Sequence, residues 1–560
     1  MTKINKLELT WIGKEDEPLA LEPRLLIDTP EYSFGEVETG TLPNGKPWPG
    51  NMLIHGDNLL ALRALEDNYT GAVKCIYIDP PYNTGNAFEH YDDNVEHSIW
   101  LSLMSRRIQL LYNLLANDGV LFINLDEIEH AYCKIICDEI FGRSNYVGDL
   151  IWQKRKGGGN DSRYFAIDHD YILVYAKSKS KDVHKRWYVS QSEEYQKRYK
   201  EIDENGKRYF WDTVARNGLK NAIPVTVKCP DGTILKINSQ KSQATIDEGL
   251  KDGTVRLIRS KSGWTLHHRV YMSGAQVLRS ILSDVGTNKS AGDESAALFG
   301  NSPFDYPKPE ALIEKILELT TKPNDIVLDS FLGSGTTSAV AHKMGRRWIG
   351  VELGDHAYTH CALRMKKVIE GEQGGISKAQ NWQGGGGFKF YELAPSLLNH
   401  DKYGNLVINK EYNADMLAAA MAKHQGFTYS PDAELYWKQG HSSEHDFIFT
   451  TTQLLTAESL ETIHEQLGED ESLLICCSKF QPECRNKFSN ITIKKIPKVL
   501  LDTCEFDRDD YSLNIVSVPD IEDEEWEDLD PEGEYLPDDD TDDAVEPNNE
   551  PNLFNNLNNE

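Results

Sequence analysis

No stretch of about 18 consecutive apolar residues occurs in the sequence, so no helix spanning a bilayer is expected. The start, Met1-Thr2-Lys3-Ile4-Asn5, is followed by polar and charged residues and lacks the apolar middle of a secretion signal. Cysteine is sparse, nine in all, and no Cys-x-x-Cys pair is present, which argues against a zinc site; no metal is expected. Cys133 and Cys137, one helical turn apart, read as a reduced core pair, and the cytosol is the natural compartment. No Gly-Lys-Ser/Thr occurs, which excludes a nucleotide-binding P-loop.

Basic residues are also scarce, and their absence is uneven. The net charge is −30, which looks wrong for a protein that meets nucleic acid. Residues 521–560 hold 17 acids and no base, and setting them aside leaves −13 on the first 520 residues. Residues 151–280 carry 25 Lys plus Arg against 14 acids, a local net charge of +11. Local charge, not the total, sets attraction to phosphates.

The length exceeds one ordinary domain, and 39% hydrophobic residues suffice for real cores. Residues 1–45 mix short apolar stretches with Pro and Gly. Over 46–180 strand and helix patterns alternate: Val73–Ile78, 119–124 and 171–175 read as buried strands, and 102–115 has apolar residues at helical spacing. That alternation predicts an α/β fold with a parallel sheet covered by helices. Residues 181–300 are basic, Gly-rich and aromatic, with turn signals such as Pro230-Asp231-Gly232, and read as an inserted module. The alternation resumes over 301–380, with strands at 326–329 and 348–351. Gly384–Gly387 read as a flexible joint. A further mixed domain is expected over 388–515, followed by an acidic tail over 521–560 that should be disordered.

Two strand ends carry the chemistry. Asp79-Pro80-Pro81-Tyr82 directly follows the run ending at Ile78, and loops at the carboxyl ends of parallel strands are where such sheets bind ligands. An exocyclic amine on a base is a poor nucleophile, because its lone pair is delocalised into the ring. A carboxylate (Asp79) and a backbone carbonyl (Pro80) accepting its N–H bonds would localise that pair. Two prolines stiffen the loop, and Tyr82 offers a ring face for a base taken out of the duplex. A rigid strand-end turn is the plainer account of the same four residues. The second signal is Asp329-Ser330-Phe331-Leu332-Gly333-Ser334-Gly335-Thr336, with Glu352 closing the next strand about 20 residues on, where an acid can hold ribose hydroxyls. The glycines let backbone approach a ligand, and a helix is expected from near Thr336. A nicotinamide enzyme would explain this loop and Glu352, yet Ser338 stands where the dinucleotide pattern needs a third glycine. It would also leave Asp79-Pro80-Pro81-Tyr82 and the basic block without a purpose. Asp57, in His55-Gly56-Asp57-Asn58, reads as a helix cap or as an acceptor for an adenine amine. In the basic block, Lys154-Arg155-Lys156, Arg186 and Lys207-Arg208 interleave with aromatics and are expected to meet DNA phosphates and base edges.

Together these features resemble the β-class DNA amino methyltransferases, in which the catalytic half precedes the cofactor-binding half. Here Asp79 precedes Phe331 by about 250 residues, with the basic block between. More narrowly, the chain resembles the modification subunits of type III restriction–modification systems. The residues that carry this are Leu7–Lys14, Ile78–Gly85, His169–Lys177 and Phe304–Pro309. The resemblance runs from about residue 5 to 375, and more loosely to about 500. It implies a Rossmann-like S-adenosylmethionine-dependent methyltransferase sheet in circularly permuted motif order, with an inserted target-recognition domain and a mixed α/β C-terminal domain. It implies catalysis at Asp79, Pro80, Pro81 and Tyr82. It implies cofactor contacts at Asp329, Phe331, Gly333, Gly335, Thr336 and Glu352, with Asp57 at the adenine and Lys308 and Pro309 near the methionine part. Asp at the first motif position is usual for adenine N6 enzymes and Ser for cytosine N4 enzymes. Implied partners are double-stranded DNA, a second copy of the chain and an ATP-dependent restriction subunit.

Overall fold

The computed structural model describes residues 9–511, apart from 12–13, 15–19, 82–92, 158–163, 184–186, 192, 216–221, 262, 301–303 and 502. Tyr82, Arg186 and the tail over 521–560 therefore lie outside the described residues.

The large sheet is built, in chain order, from β1 (Leu26–Asp28), β2 (Asn51–His55), β3 (Val73–Ile78), β4 (Leu115–Leu125), β5 (Tyr146–Gln153), β6 (His169–Ala176), β7 (Ile281–Leu282), β8 (Ile326–Asp329), β9 (Arg347–Glu352) and β10 (Gly387–Leu393). Their spatial order is β1-β10-β2-β9-β8-β3-β4-β6-β5-β7, with Phe34–Gly35 also pairing along β10. From β10 to β4 all neighbours run parallel, whereas β6 is antiparallel to both β4 and β5. Parallel strands are covered on both faces, which is why residues 75–78 of β3, 120–123 of β4 and 326–328 of β8 are unbroken buried apolar runs.

Helices lie on both faces. α1 (Asn58–Tyr69), α2 (Asp93–Leu114) and α3 (His130–Cys137) pack one core through Leu59, Leu62, Trp100, Met104, Ile108 and Cys133. Across the sheet, α5 (Glu310–Thr320), α6 (Thr336–Lys343) and α7 (Leu363–Ile369) pack a second core through Leu312, Ile316, Val340 and Met365, and α4 (Asn288–Phe299) precedes them in the chain. The fold is thus the α/β sheet with two helical layers that the alternating pattern predicts. The nine cysteines are buried and free, Cys133 and Cys137 among them. No described helix is long and apolar enough to cross a membrane.

Two expected boundaries move. The chain of the insertion rejoins the large sheet at β7, which runs parallel to β5, and the Ile151 amide donates to the Ser280 carbonyl at 2.7 Å. The last 20 or so residues expected in the insertion therefore belong to the main body. Gly384–Gly387 is not a flexible joint. A Cβ on Gly384 would stand 2.6 Å from the Ile369 carbonyl, and one on Gly387 would stand 2.7 Å from the Gly35 backbone. These glycines permit close packing, and they deliver the chain into β10, which extends the large sheet beyond residue 388.

The insertion has a four-stranded antiparallel sheet, in the order Glu201–Ile202, Arg208–Thr213, Gly263–Tyr271, Val255–Ser260, and a hairpin of Ile223–Lys228 with Ile234–Ser239. Val214, Val225, Val227, Ile246, Val255 and Leu266 form its small core. After β10 comes a five-stranded sheet whose last three strands, Asp446–Leu455, Ser472–Phe480 and Ile491–Lys495, are parallel, flanked by the helices Ala414–His424 and Ala457–Gln466. The chain then returns to the main body, where the Tyr511 amide donates to Asp57 Oδ2 at 3.0 Å.

Candidate active site

The carboxyl ends of β3, β8 and β9 are neighbours in the sheet, so Asp79, Asp329 and Glu352 meet at one edge. Residues 250 apart in sequence are brought together by register alone. Asp79 leaves β3 on the Pro80-Pro81 loop, whose Pro81 carbonyl accepts the Trp100 indole N–H at 3.0 Å. Asp79 Oδ2 is ion-paired with Lys308, and Oδ1 accepts from Asn124 Nδ2 at 3.3 Å. Lys308 therefore faces the carboxylate of the first motif, while Pro309 takes the N-cap position of α5.

The glycine loop is fixed from below and behind. Asp329 Oδ1 accepts the Phe331 amide at 2.9 Å, and its Oδ2 accepts the Thr337 hydroxyl at 2.6 Å. Burial pushes the Asp329 carboxyl up to about 7, with the charges of Asp79 and Glu352 adding to the shift and the two hydrogen bonds opposing it. Glu352 Oε2 accepts the Gly333 amide at 2.7 Å, and burial raises its pKa as well. Gly333 and Gly335 have φ of +55° and +81°, in the left-handed region that suits glycine, and Thr336 opens α6 as expected. Beneath the loop, Arg364 donates to Thr336 Oγ1 at 2.8 Å and to Glu310 Oε1 at 2.9 Å. Burial alone would raise Glu310, but Arg364 and Lys343 hold it below the ordinary carboxylate value.

Asp57 serves the chain itself. Oδ1 caps α1 through the Leu59 and Leu60 amides, at 2.8 and 3.3 Å. Oδ2 accepts from Arg107 at 3.1 Å and from the Tyr511 amide. The helix-cap reading describes these contacts, and the residue is 1% exposed.

Several site residues escaped sequence reasoning. Asn58 Nδ2 donates to the Ser330 carbonyl at 2.7 Å, which ties α1 to the glycine loop. Asn124 and Asp170 stand beside Asp79, and the buried Tyr77 hydroxyl faces the charges of Asp79, Asp329 and Asp170. His55 Nδ1 lies 2.7 Å from Glu392 and 2.8 Å from the Tyr358 hydroxyl at the end of β2, opposite Glu352. The one local signal for Asn124 was a polar residue closing an apolar strand.

The cations expected to meet DNA occupy different settings. Arg155, Lys156, Lys207 and Arg208 are exposed. Lys154 is turned inward, its ammonium 2.7 Å from Asp170 Oδ1. On the insertion, Arg256 lies over the Trp211 ring at 3.9 Å and Arg269 over Tyr209 at 4.7 Å. Among the described residues no group of three or more His, Cys, Asp or Glu is arranged to hold a metal ion.

A family profile described as DNA methylase matches residues 73–362, just over half of the chain.

This chain belongs to the DNA methylase family.

The match runs from β3, which presents Asp79, through the insertion to the segment after β9, which presents Glu352. The chain is also similar to curated proteins. One is a probable type III restriction-modification enzyme HindVI Mod subunit from Haemophilus influenzae, 36% identical over 65% of this chain and 56% of the relative. A second is the StyLTI Mod subunit from Salmonella typhimurium, 34% identical over 59% of this chain and 55% of the relative. The EcoP15I Mod subunit from Escherichia coli is 26% identical over 83% of this chain and 84% of its own. The chain thus spans a little over half the length of the first two relatives.

Proposed function

We propose that this chain is a site-specific DNA methyltransferase that moves a methyl group from S-adenosylmethionine to N6 of adenine in duplex DNA. The observation that carries the reading is the meeting of Asp79, on its two-proline loop, with the Gly333–Gly335 loop and Glu352 at one strand-end edge. When bound, S-adenosylmethionine supplies an electrophilic methyl group on a cationic sulfur. The residues present fit such a group. Three acids face the edge, and the loop is built from glycines at positive φ. A Cβ on Gly333 would stand 3.2 Å from the Phe304 ring, and one on Gly335 would stand 3.3 Å from the Cys361 backbone. Glu352 is proposed to accept from ribose hydroxyls, beside the loop amides and Asp329.

Asp79 accepts an N–H of the target amine, which draws the lone pair out of the ring and onto nitrogen. Lys308 and Asn124 hold that carboxylate before the base arrives, and preorganised acceptors of this kind act without reorganisation cost at the moment of reaction. To reach this pocket a base must leave the duplex. Tyr82, next in the motif, is proposed to stack on it.

The partners we propose are double-stranded DNA, a second copy of the chain and an ATP-dependent restriction subunit, with the region 388–515 as the contact surface for the two protein partners. The insertion is proposed to read the sequence, with Lys207, Arg208 and Arg186 on DNA. Labelled-methyl transfer to duplex DNA, single-stranded DNA and RNA in parallel tests the reading. Transfer to duplex DNA without ATP is expected, and preference for RNA would overturn it. Light scattering at micromolar protein should report a dimer, and an active strict monomer would defeat that part.

A further inference from the structure

Three consecutive cations open the basic block, yet they do not share one environment. Arg155 and Lys156 are exposed. The Lys154 side chain is only 17% exposed and pairs with Asp170, whose side chain is 3% exposed. The second oxygen of Asp170 accepts from Asn124 Nδ2 at 3.4 Å, and the same nitrogen donates to Asp79 Oδ1 at 3.3 Å. Lys308 holds the other oxygen of Asp79. Two ion pairs are therefore joined through one amide in a line that runs Lys154, Asp170, Asn124, Asp79, Lys308. The backbone at its outer end is fixed too, because the Lys154 carbonyl accepts the Asn288 amide at 2.9 Å, next to the Thr287 cap of α4.

We propose that Lys154 is a positioning residue for methyl transfer, acting through Asp170 and Asn124 on the Asp79 carboxylate, and not a phosphate contact. The proposal rests on reading Asp79 as the acceptor of the target amine. Asn124 faces two carboxylates, and only its NH2 group can satisfy both. Lys154 holds one Asp170 oxygen, which leaves the other aimed at Asn124 Nδ2. Without Lys154, Asp170 can turn and withdraw the acceptor that sets the Asn124 amide. An Asn124 amide turned so that its oxygen faces Asp79 would rotate that carboxylate off its aim, and misplacement of a reacting group by about 1 Å can cost about 100-fold in rate. An ammonium already neutralised by a buried acid also has little to offer a phosphate.

The test compares Lys154→Gln, Lys154→Arg, Asp170→Asn and Arg155→Gln in the full chain. It measures the single-turnover rate at saturating DNA, and DNA affinity across a salt series. Calorimetric binding of S-adenosylmethionine reports whether each variant is folded. Lys154→Gln and Asp170→Asn should slow the single turnover about 10- to 100-fold while DNA affinity and its salt slope stay close to the parent. Lys154→Arg should recover most of the rate. Arg155→Gln should weaken binding and flatten the salt slope by about 1. If Lys154→Gln does not fold, Asp170→Asn decides in its place. A Lys154→Gln protein that keeps its turnover rate and loses about 1 from the salt slope overturns the proposal alone, as does an Asp170→Asn protein that turns over at the parental rate. A parent that transfers no methyl group to DNA overturns it together with the function on which it rests.

Discussion

The strand-end edge and the insertion use charge in opposite ways. At the edge, the acids are held by the protein itself: Asp329 by an amide and a hydroxyl, Glu352 by the Gly333 amide, Asp79 by Lys308 and Asn124. On the insertion, exposed cations lie against rings, Arg256 over Trp211 and Arg259 over Trp264, above a core of six buried residues. Groups held in place by their neighbours suit a reaction that needs exact aim. Exposed cations on a small sheet suit a surface whose partner is a phosphate backbone, where binding comes from many weak, salt-screened contacts. Substitutions at the edge should therefore change rate, and substitutions on the insertion should change affinity.

The sharpest way to break this division is Asp79→Ala. Loss of one preorganised partner of a reacting group typically costs about 100- to 1000-fold in rate. We expect a loss of that size with S-adenosylmethionine binding retained by calorimetry. Activity within a few-fold of the parent would remove Asp79 from the chemistry. A smaller effect is expected from the electrostatics of Asp329. Its raised pKa of about 7 means that the folded protein holds a proton there which the unfolded chain, near the ordinary value of 3.8, has released. Between those values the folded state binds more protons, so the contribution of Asp329 to stability falls as pH rises and levels off above about 7. Thermal melting of the parent and Asp329→Asn across this range should show the parent losing ground to the variant as pH increases. A gap that stays constant with pH would mean that Asp329 ionises at its ordinary value. The smallest effect is expected on the insertion. Arg256→Ala should reduce DNA affinity by less than tenfold and lower the salt slope by about 1, with the turnover rate at saturating DNA changing far less than in Asp79→Ala. A turnover loss matching that of Asp79→Ala would erase the distinction between the regions.

The two regions also differed in how far their sequence could be read. The fold class was legible because buried parallel strands leave near-continuous apolar runs, as at Val73–Ile78 and Ile326–Asp329. The strand-end motifs were legible because their residue types answer to local chemistry: proline for stiffness, glycine for approach, acid for hydrogen bonds. What was hidden depends on contacts between distant segments. Asn124 and Asp170 meet across neighbouring antiparallel strands, 46 residues apart, and no local spacing encodes that pairing. For the same reason Lys154 looked like its neighbours Arg155 and Lys156, although a buried acid turns it inward. Gly384–Gly387 looked like a hinge because sequence shows freedom but not crowding, and only the packed backbone of Gly35 and Ile369 reveals why glycine is needed.

The central claim is that the strand-end edge methylates the amino group of adenine. The most direct test is to incubate the purified chain with duplex DNA and labelled S-adenosylmethionine, digest the DNA to nucleosides and identify the labelled one by mass spectrometry, with Asp79→Ala alongside. The account predicts label in N6-methyladenine for the parent and none above background for the variant. Label in N4-methylcytosine, or equal label from both proteins, would contradict it.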